Sequence, residues 1–246
     1  MKLCKFKVLS LDVYGTLIDW EKGILSSLKP LTDQIRQKLS SDHILEAHAY
    51  HESELQRWAP STRYSELLAV VYKRLAEEWS VDVSFHECQA YGSSVGHWPA
   101  FDDSVEALRY LKKHFKIVVL SNIDNESFHG SSPKLGISFD AVYTAQDIGS
   151  YKPSNRNFKY MLKMLERSGV QKTDILHVAE SMFHDHAPAN KNGISNCWIF
   201  RRYDKKGFGA TMDPGQMPTY NFVFHSLYDL VRAHKAEINM LSISKN

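Results

Sequence analysis

Three absences narrow the reading of this chain. It has only three cysteines, Cys4, Cys88 and Cys197. An odd number at wide spacing excludes a disulfide framework and a zinc-binding pattern. No stretch reaches the ~18 apolar residues of a membrane span. Met1–Lys5 also lacks the apolar h-region of a secretory leader. Charge of neither sign predominates: 30 basic and 28 acidic residues leave a net +2. Nothing in that balance calls for nucleic acid or a membrane surface as partner. The expectation is a soluble cytoplasmic protein. Internal repeats and low-complexity segments are absent as well.

What is present is a globular pattern. The 246 residues, 43% hydrophobic, suffice for one large domain or a core with a smaller second domain. Near the start, Phe6, Val8, Leu9 and Leu11 read as a buried strand running into Asp12. Gly15 then permits a sharp turn. A carboxylate at the carboxyl end of a buried strand stands where open α/β sheets bind ligands. Four helical patterns follow in a row, over about 20–39 (interrupted at Pro30), 42–58, 62–79 and 84–94. Asp42 and Ser61 or Thr62 are candidate N-caps. From Trp98 onward strands and helices alternate. Lys116–Leu120, Phe139–Thr144, Ile175–Ala179, Asn196–Phe200 and Phe222–Phe224 read as strands. The helices fall at about 102–114, 157–168 and 226–235. This alternation predicts an α/β fold with a doubly wound parallel sheet.

Each strand end carries polar chemistry. Leu120 runs into Ser121-Asn122, where hydroxyl and amide donors would hold a carboxylate or an oxyanion. Ser150-Tyr151-Lys152-Pro153 places Lys152 in an extended segment. If Lys152 reaches Asp12, charges ~4 Å apart interact by roughly 4 kcal/mol at an effective dielectric near 20. Ala179 runs into Glu180-Ser181-Met182-Phe183-His184-Asp185-His186. The His-x-His pair lacks the further ligands of a transition-metal site. A hydrogen bond from one of these histidines to Asp185 is the simpler expectation.

The series Asp12-Val13-Tyr14-Gly15-Thr16, Ser121-Asn122, Lys152-Pro153 and Glu180…Asp185 resembles the four motifs of the haloacid dehalogenase superfamily. Tyr14 stands where phosphatases of that superfamily carry a second Asp. In this it resembles the L-2-haloacid dehalogenase branch. The resemblance implies a Rossmann-like core over residues 1–17 and 99–246 and a helical cap over 18–98. It implies that Asp12 is a covalent nucleophile, forming an aspartyl ester with a small carboxylic acid. Lys152 and Asp185 would be its catalytic partners, Asp185 by placing or activating water. Tyr14, Thr16, Ser121 and Asn122 would hold the substrate, with His48 and Trp20 lining the cap face.

No cofactor is then required. Two alternatives stay open. One is a Mg²⁺-dependent phosphatase with Asp12, Glu180 and Asp185 as oxygen ligands. The other is a non-catalytic binding protein on the same fold. Three positions depart from the dehalogenase branch. Glu46–His51 offers no Arg where that branch takes the halide, Phe158 replaces a Tyr, and Glu180-Ser181-Met182 replaces Ser-x-Asn. His48 or His51 would be the proton donor for a leaving group other than halide. Dehalogenases of this branch are often dimers, which leaves a homodimer open.

Overall fold

The computed structural model describes residues 1–243. Six parallel strands form one sheet: β1 (Val8–Leu11), β2 (Lys116–Ser121), β3 (Ala141–Thr144), β4 (Ile175–Ala179), β5 (Ser195–Ile199) and β6 (Phe222–Phe224). Their order is β3-β2-β1-β4-β5-β6, so β1 lies in the middle. The order reverses direction at β1, which makes the ends of β1, β2 and β4 the switch point where open sheets bind ligands. All four residues of β1 are buried, as the apolar run predicts for a strand covered on both faces.

Helices α1 (Trp20–Ser27), α2 (Lys29–Thr32), α3 (Ser41–Trp58), α4 (Tyr64–Glu78) and α5 (Phe85–Gly92) separate β1 from α6 (Ser104–Leu111). The chain leaves the sheet at Leu17–Asp19 and returns at Pro99–Phe101. The two passages are zipped together: Asp19 N donates to Pro99 O and Phe101 N donates to Leu17 O. The five helices thus form one insertion between two paired passages of chain, and Tyr151 Oη donating to Thr62 O and Ser65 N donating to Asp124 Oδ2 tie it to the sheet side as well. The expected break at Pro30 is real but stronger than a kink. The first helix stops at Ser27, and Pro30 sits in the first turn of α2, where its missing N–H costs nothing.

Two capping expectations are corrected. Ser40, not Asp42, caps α3, its side chain accepting from His43 N. Neither Ser61 nor Thr62 caps α4, which starts after Arg63 without a side-chain cap. Helices α7 (Asn125–Ser131), α8 (Ala145–Ile148), α9 (Asn155–Arg167), α10 (Ala187–Lys191) and α11 (Leu227–Ile243) complete the layers beside the sheet. No helix among the described residues is long and apolar enough to cross a membrane.

Candidate active site

Asp12 follows β1 directly and is only 5% exposed. Its Oδ1 accepts from Lys152 Nζ at 2.9 Å and its Oδ2 from Thr16 Oγ1 at 2.8 Å. Gly15 (φ +93°) makes the turn between them. A Cβ there would meet the Trp20 ring at 3.0 Å, so only glycine lets the indole close over the Asp12 loop. Thr16 also accepts from Glu180 N at 2.9 Å, which ties the ends of β1 and β4 together. Thr16 therefore aims Asp12 and does not itself face the cavity.

Lys152 is the centre of charge. Its ammonium donates to Asp12 Oδ1, to Asp185 Oδ1 at 2.7 Å and to Leu120 O at 3.0 Å. These acceptors match its three protons. Burial acts to discharge this ammonium, yet Asp12 and Asp185 hold its pKa above the ordinary value. Asn122 fixes the Lys152 backbone by a reciprocal pair: Lys152 N donates to Asn122 Oδ1 (2.6 Å), and Asn122 Nδ2 donates to Lys152 O (2.9 Å). The Asn122 amide, expected to hold substrate, is committed to the lysine loop. The Ser121 hydroxyl, by contrast, is buried with no partner among the described residues.

Asp185 differs from Asp12 although both touch Lys152. Burial acts to raise its pKa, but Lys152 and His177 together hold it well below the usual carboxylate range. Burial pushes Asp12 upward, Asp185 adds to the rise, and Lys152 and Thr16 counter it. His177 reaches Asp185 Oδ1 with Nε2 (2.8 Å) and Ser10 Oγ with Nδ1 (3.1 Å). Nothing in the sequence singled out His177, which lies inside an apolar strand. Its signal was a lone polar residue at a fully buried position of β4. The histidine expected beside Asp185 was one of the flanking pair. Instead His186 Nε2 meets Ala179 O (3.0 Å), and His184 Nδ1 faces Ser181 and Thr211 hydroxyls.

Asp12, Tyr14, Trp20, Ser121, Lys152 and Asp185 line one small cavity, which Asn122, Ser181 and His184 also border. Glu52 of α3 and Tyr64 of α4 close it from the helical insertion. Its volume, about 20 Å³, holds roughly one water. Larger hollows, one of about 520 Å³ between α4 and α5 and another of about 700 Å³ beside α1 and α3, contain none of these residues. Volume alone is therefore a poor guide here, and the convergent charged groups mark the site. The Tyr14 hydroxyl donates to Ser131 Oγ at 2.8 Å, and burial pushes its pKa up. It is a wall of the cavity, not an acid.

His48 does not line this cavity. It is fully buried behind it, edge-on to Tyr91, with its Nδ1 3.5 Å from Glu52 Oε2 and no hydrogen bond on either ring nitrogen. Burial drives its pKa down to about 3. The residue that faces Asp12 from α3 is Glu52, one turn further on. Glu52 accepts from Gln56 Nε2 at 2.8 Å, and burial pushes its carboxyl up to about 7 against the opposing hydrogen bonds of Tyr64 and Gln56.

The three carboxylates of the Mg²⁺ alternative do not share one space. Glu180 opens onto a separate cavity of about 80 Å³ with Glu21, Arg201 and Arg202. Burial, with Glu21 and Asp12 adding to it, lifts its pKa to about 8. Both oxygens of Asp12 and one of Asp185 are already taken by protein donors. Among the described residues no group of three or more His, Cys, Asp or Glu side chains is arranged to hold a metal. These residues do not fit a three-carboxylate Mg²⁺ site.

A family model for haloacid dehalogenase-like hydrolases matches residues 6–182. The chain belongs to that family. Among solved structures, this hydrolase is similar to the L-2-haloacid dehalogenase of Xanthobacter autotrophicus with chloropropionic acid covalently bound. The TM-score is 0.74 at 16% identity, over 92% of this chain and 97% of that one. It is also similar to the defluorinating L-2-haloacid dehalogenase Rha0230, with a TM-score of 0.75 at 16% identity, over 94% and 95% of the two chains. YfnB from Bacillus subtilis, assigned as a HAD hydrolase and bound to magnesium, scores 0.72 at 16% identity over 94% and 99%. At such identities the likeness establishes the fold. No curated protein matches the chain.

Proposed function

We propose that this hydrolase cleaves the bond between C2 of a small carboxylic acid and its leaving group, through an ester on Asp12, with the helical insertion as a cap. The observation that carries this reading is the committed pair around Asp12. Lys152 holds one oxygen and Thr16 the other, while the nucleophile loop offers no proton donor because Tyr14 is tied to Ser131. An alkoxide leaving group wants such a donor and a halide does not. The xanthobacter dehalogenase with its covalently bound acid agrees with the same chemistry.

In this mechanism Asp12 attacks C2, inverting it, and the leaving group departs toward the insertion. Ser121 and the β2 end hold the substrate carboxylate. Lys152 counters the burial that raises the Asp12 pKa and offsets the charge of the acid. The cavity of about 20 Å³ is too small for a three-carbon acid, so Glu52 and Tyr64 move aside to admit it. No metal takes part. Halide release from L-2-chloropropionate, undiminished by EDTA, is the expected result. Metal-dependent hydrolysis of p-nitrophenyl phosphate without any halide release would contradict it.

Glu52 makes this activity depend on pH. Its carboxyl is neutral below about 7 and anionic above. A neutral Glu52 tolerates an anionic acid and a departing halide; an ionised one repels both. kcat/KM for L-2-chloropropionate therefore falls as pH rises through about 7, by about tenfold per unit in the limit of a strict requirement. Glu52→Gln cannot ionise and gives a flat profile over this range. A wild-type profile that keeps rising to pH 9 would show that Glu52 does not face the substrate.

A further inference from the structure

The ester needs a base to activate the water that hydrolyses it, and Asp185 is poorly suited to be that base. Its Oδ1 is shared by Lys152 and His177, and a carboxylate stabilised in this way has little affinity for a proton. Glu180 faces another cavity, and Glu52 comes from α3 of the helical insertion. One imidazole also borders the Asp12 cavity. His184 sits on the wide helical turn Met182–His186 that follows β4, whose first carbonyl-side residue, Ser181, caps it by accepting from His184 N at 3.0 Å.

The His184 ring is held from one side only. Nδ1 lies 3.2 Å from both Ser181 Oγ and Thr211 Oγ1, which are 2.9 Å from each other. Nε2 has no hydrogen bond among the described residues. With the proton on Nδ1 donated to this hydroxyl pair, Nε2 carries the free lone pair of a ring that borders the cavity. We infer that His184 is the general base for the second half-reaction, with Ser181 and Thr211 as the positioning residues that fix its tautomer. The assignment rests on the ester reading above. Burial lowers the His184 pKa to about 4, so the ring is neutral at physiological pH and Nε2 is unprotonated in the tautomer with its proton on Nδ1.

The step balances. A water oxygen attacks Cγ of the Asp12 ester while its proton passes to His184 Nε2. The Cγ–O bond to the substrate breaks, and the departing 2-hydroxy acid takes the proton from Nε2. The second water proton leaves the regenerated Asp12 carboxylate for solvent. The product keeps an oxygen that belonged to Asp12, and Asp12 gains one from water. Asp185 in this scheme holds Lys152 and does not take the proton.

The test is rapid mixing of excess L-2-chloropropionate with wild type, His184→Ala and His184→Asn, following halide and the intact protein mass. Both variants should release one halide per Asp12 and then stall, with the ester accumulating. Steady-state turnover should drop by about 10²-fold or more. Added imidazole should restore part of it in His184→Ala. The stoichiometric burst shows that the variant is folded with a working nucleophile. Thr211→Val should accumulate the same ester at a milder loss of turnover. Wild-type turnover in both His184 variants, or loss of the burst in both, would overturn the role of His184. Absence of both halide and ester from the wild-type protein would overturn the ester reading itself, and this assignment with it.

Discussion

Asp12→Asn should abolish turnover of every substrate the protein hydrolyses, by on the order of 10⁴- to 10⁶-fold, the loss typical when a covalent nucleophile is removed. The amide matches the carboxylate in shape and keeps its place between Lys152 Nζ and Thr16 Oγ1. What it lacks is charge and nucleophilicity. The fold should survive, because Lys152 retains Asp185 Oδ1 and Leu120 O as acceptors. The substitution also removes one of two carboxylates that crowd a single ammonium. Loss of turnover with an unchanged urea midpoint is therefore the expected pair of results. Turnover within about tenfold of wild type would mean that Asp12 is not the nucleophile.

Lys152→Met has the second-largest expected effect, and it falls on stability as well as rate. The ammonium is 1% exposed and lies between two carboxylates that are themselves buried. Removing it leaves these charges facing each other, which costs about 3–5 kcal/mol when a buried pair is broken. The pH dependence fixes the cause. Asp185 is held below its ordinary value of 3.8, so in wild type it contributes stability above that pH that is lost as pH falls. In Lys152→Met the carboxyl pKa values rise instead, and protonation relieves the repulsion. The gap in unfolding free energy between the two proteins should then be widest near neutrality and shrink toward pH 5. Urea denaturation at both values measures it. A gap that stays constant would assign the loss to packing of the lysine stem and not to charge.

The sheet was legible because each strand is a short apolar run ending in a polar turn, and a strand buried on both faces leaves little ambiguity. The residues Asp12, Ser121, Lys152 and Asp185 were legible for a related reason. Each lies just past a strand or a loop at the same edge of the sheet, so topology alone brings them together. The insertion was harder. Its helices were visible, but which face of α3 meets the sheet depends on rotation about the helix axis, about 100° per residue. His48 and Glu52 lie one turn apart, and only packing decides that Glu52 faces Asp12 while His48 faces Tyr91. His177 was hidden because a buried polar residue within an apolar strand gives no periodic signal. Thr211 was hidden because it reaches His184 from a Gly- and Pro-rich loop remote in sequence. Thr16 and Asn122, expected to hold substrate, direct their hydrogen bonds to Asp12 and Lys152.

The central claim is that an oxygen of Asp12 becomes part of the product. A single turnover of L-2-chloropropionate by excess enzyme in heavy-oxygen water measures this most directly. The account predicts an unlabelled 2-hydroxy acid and one heavy oxygen in the peptide that contains Asp12. A labelled product and an unlabelled Asp12 would mean that water attacks C2 itself and that no ester forms.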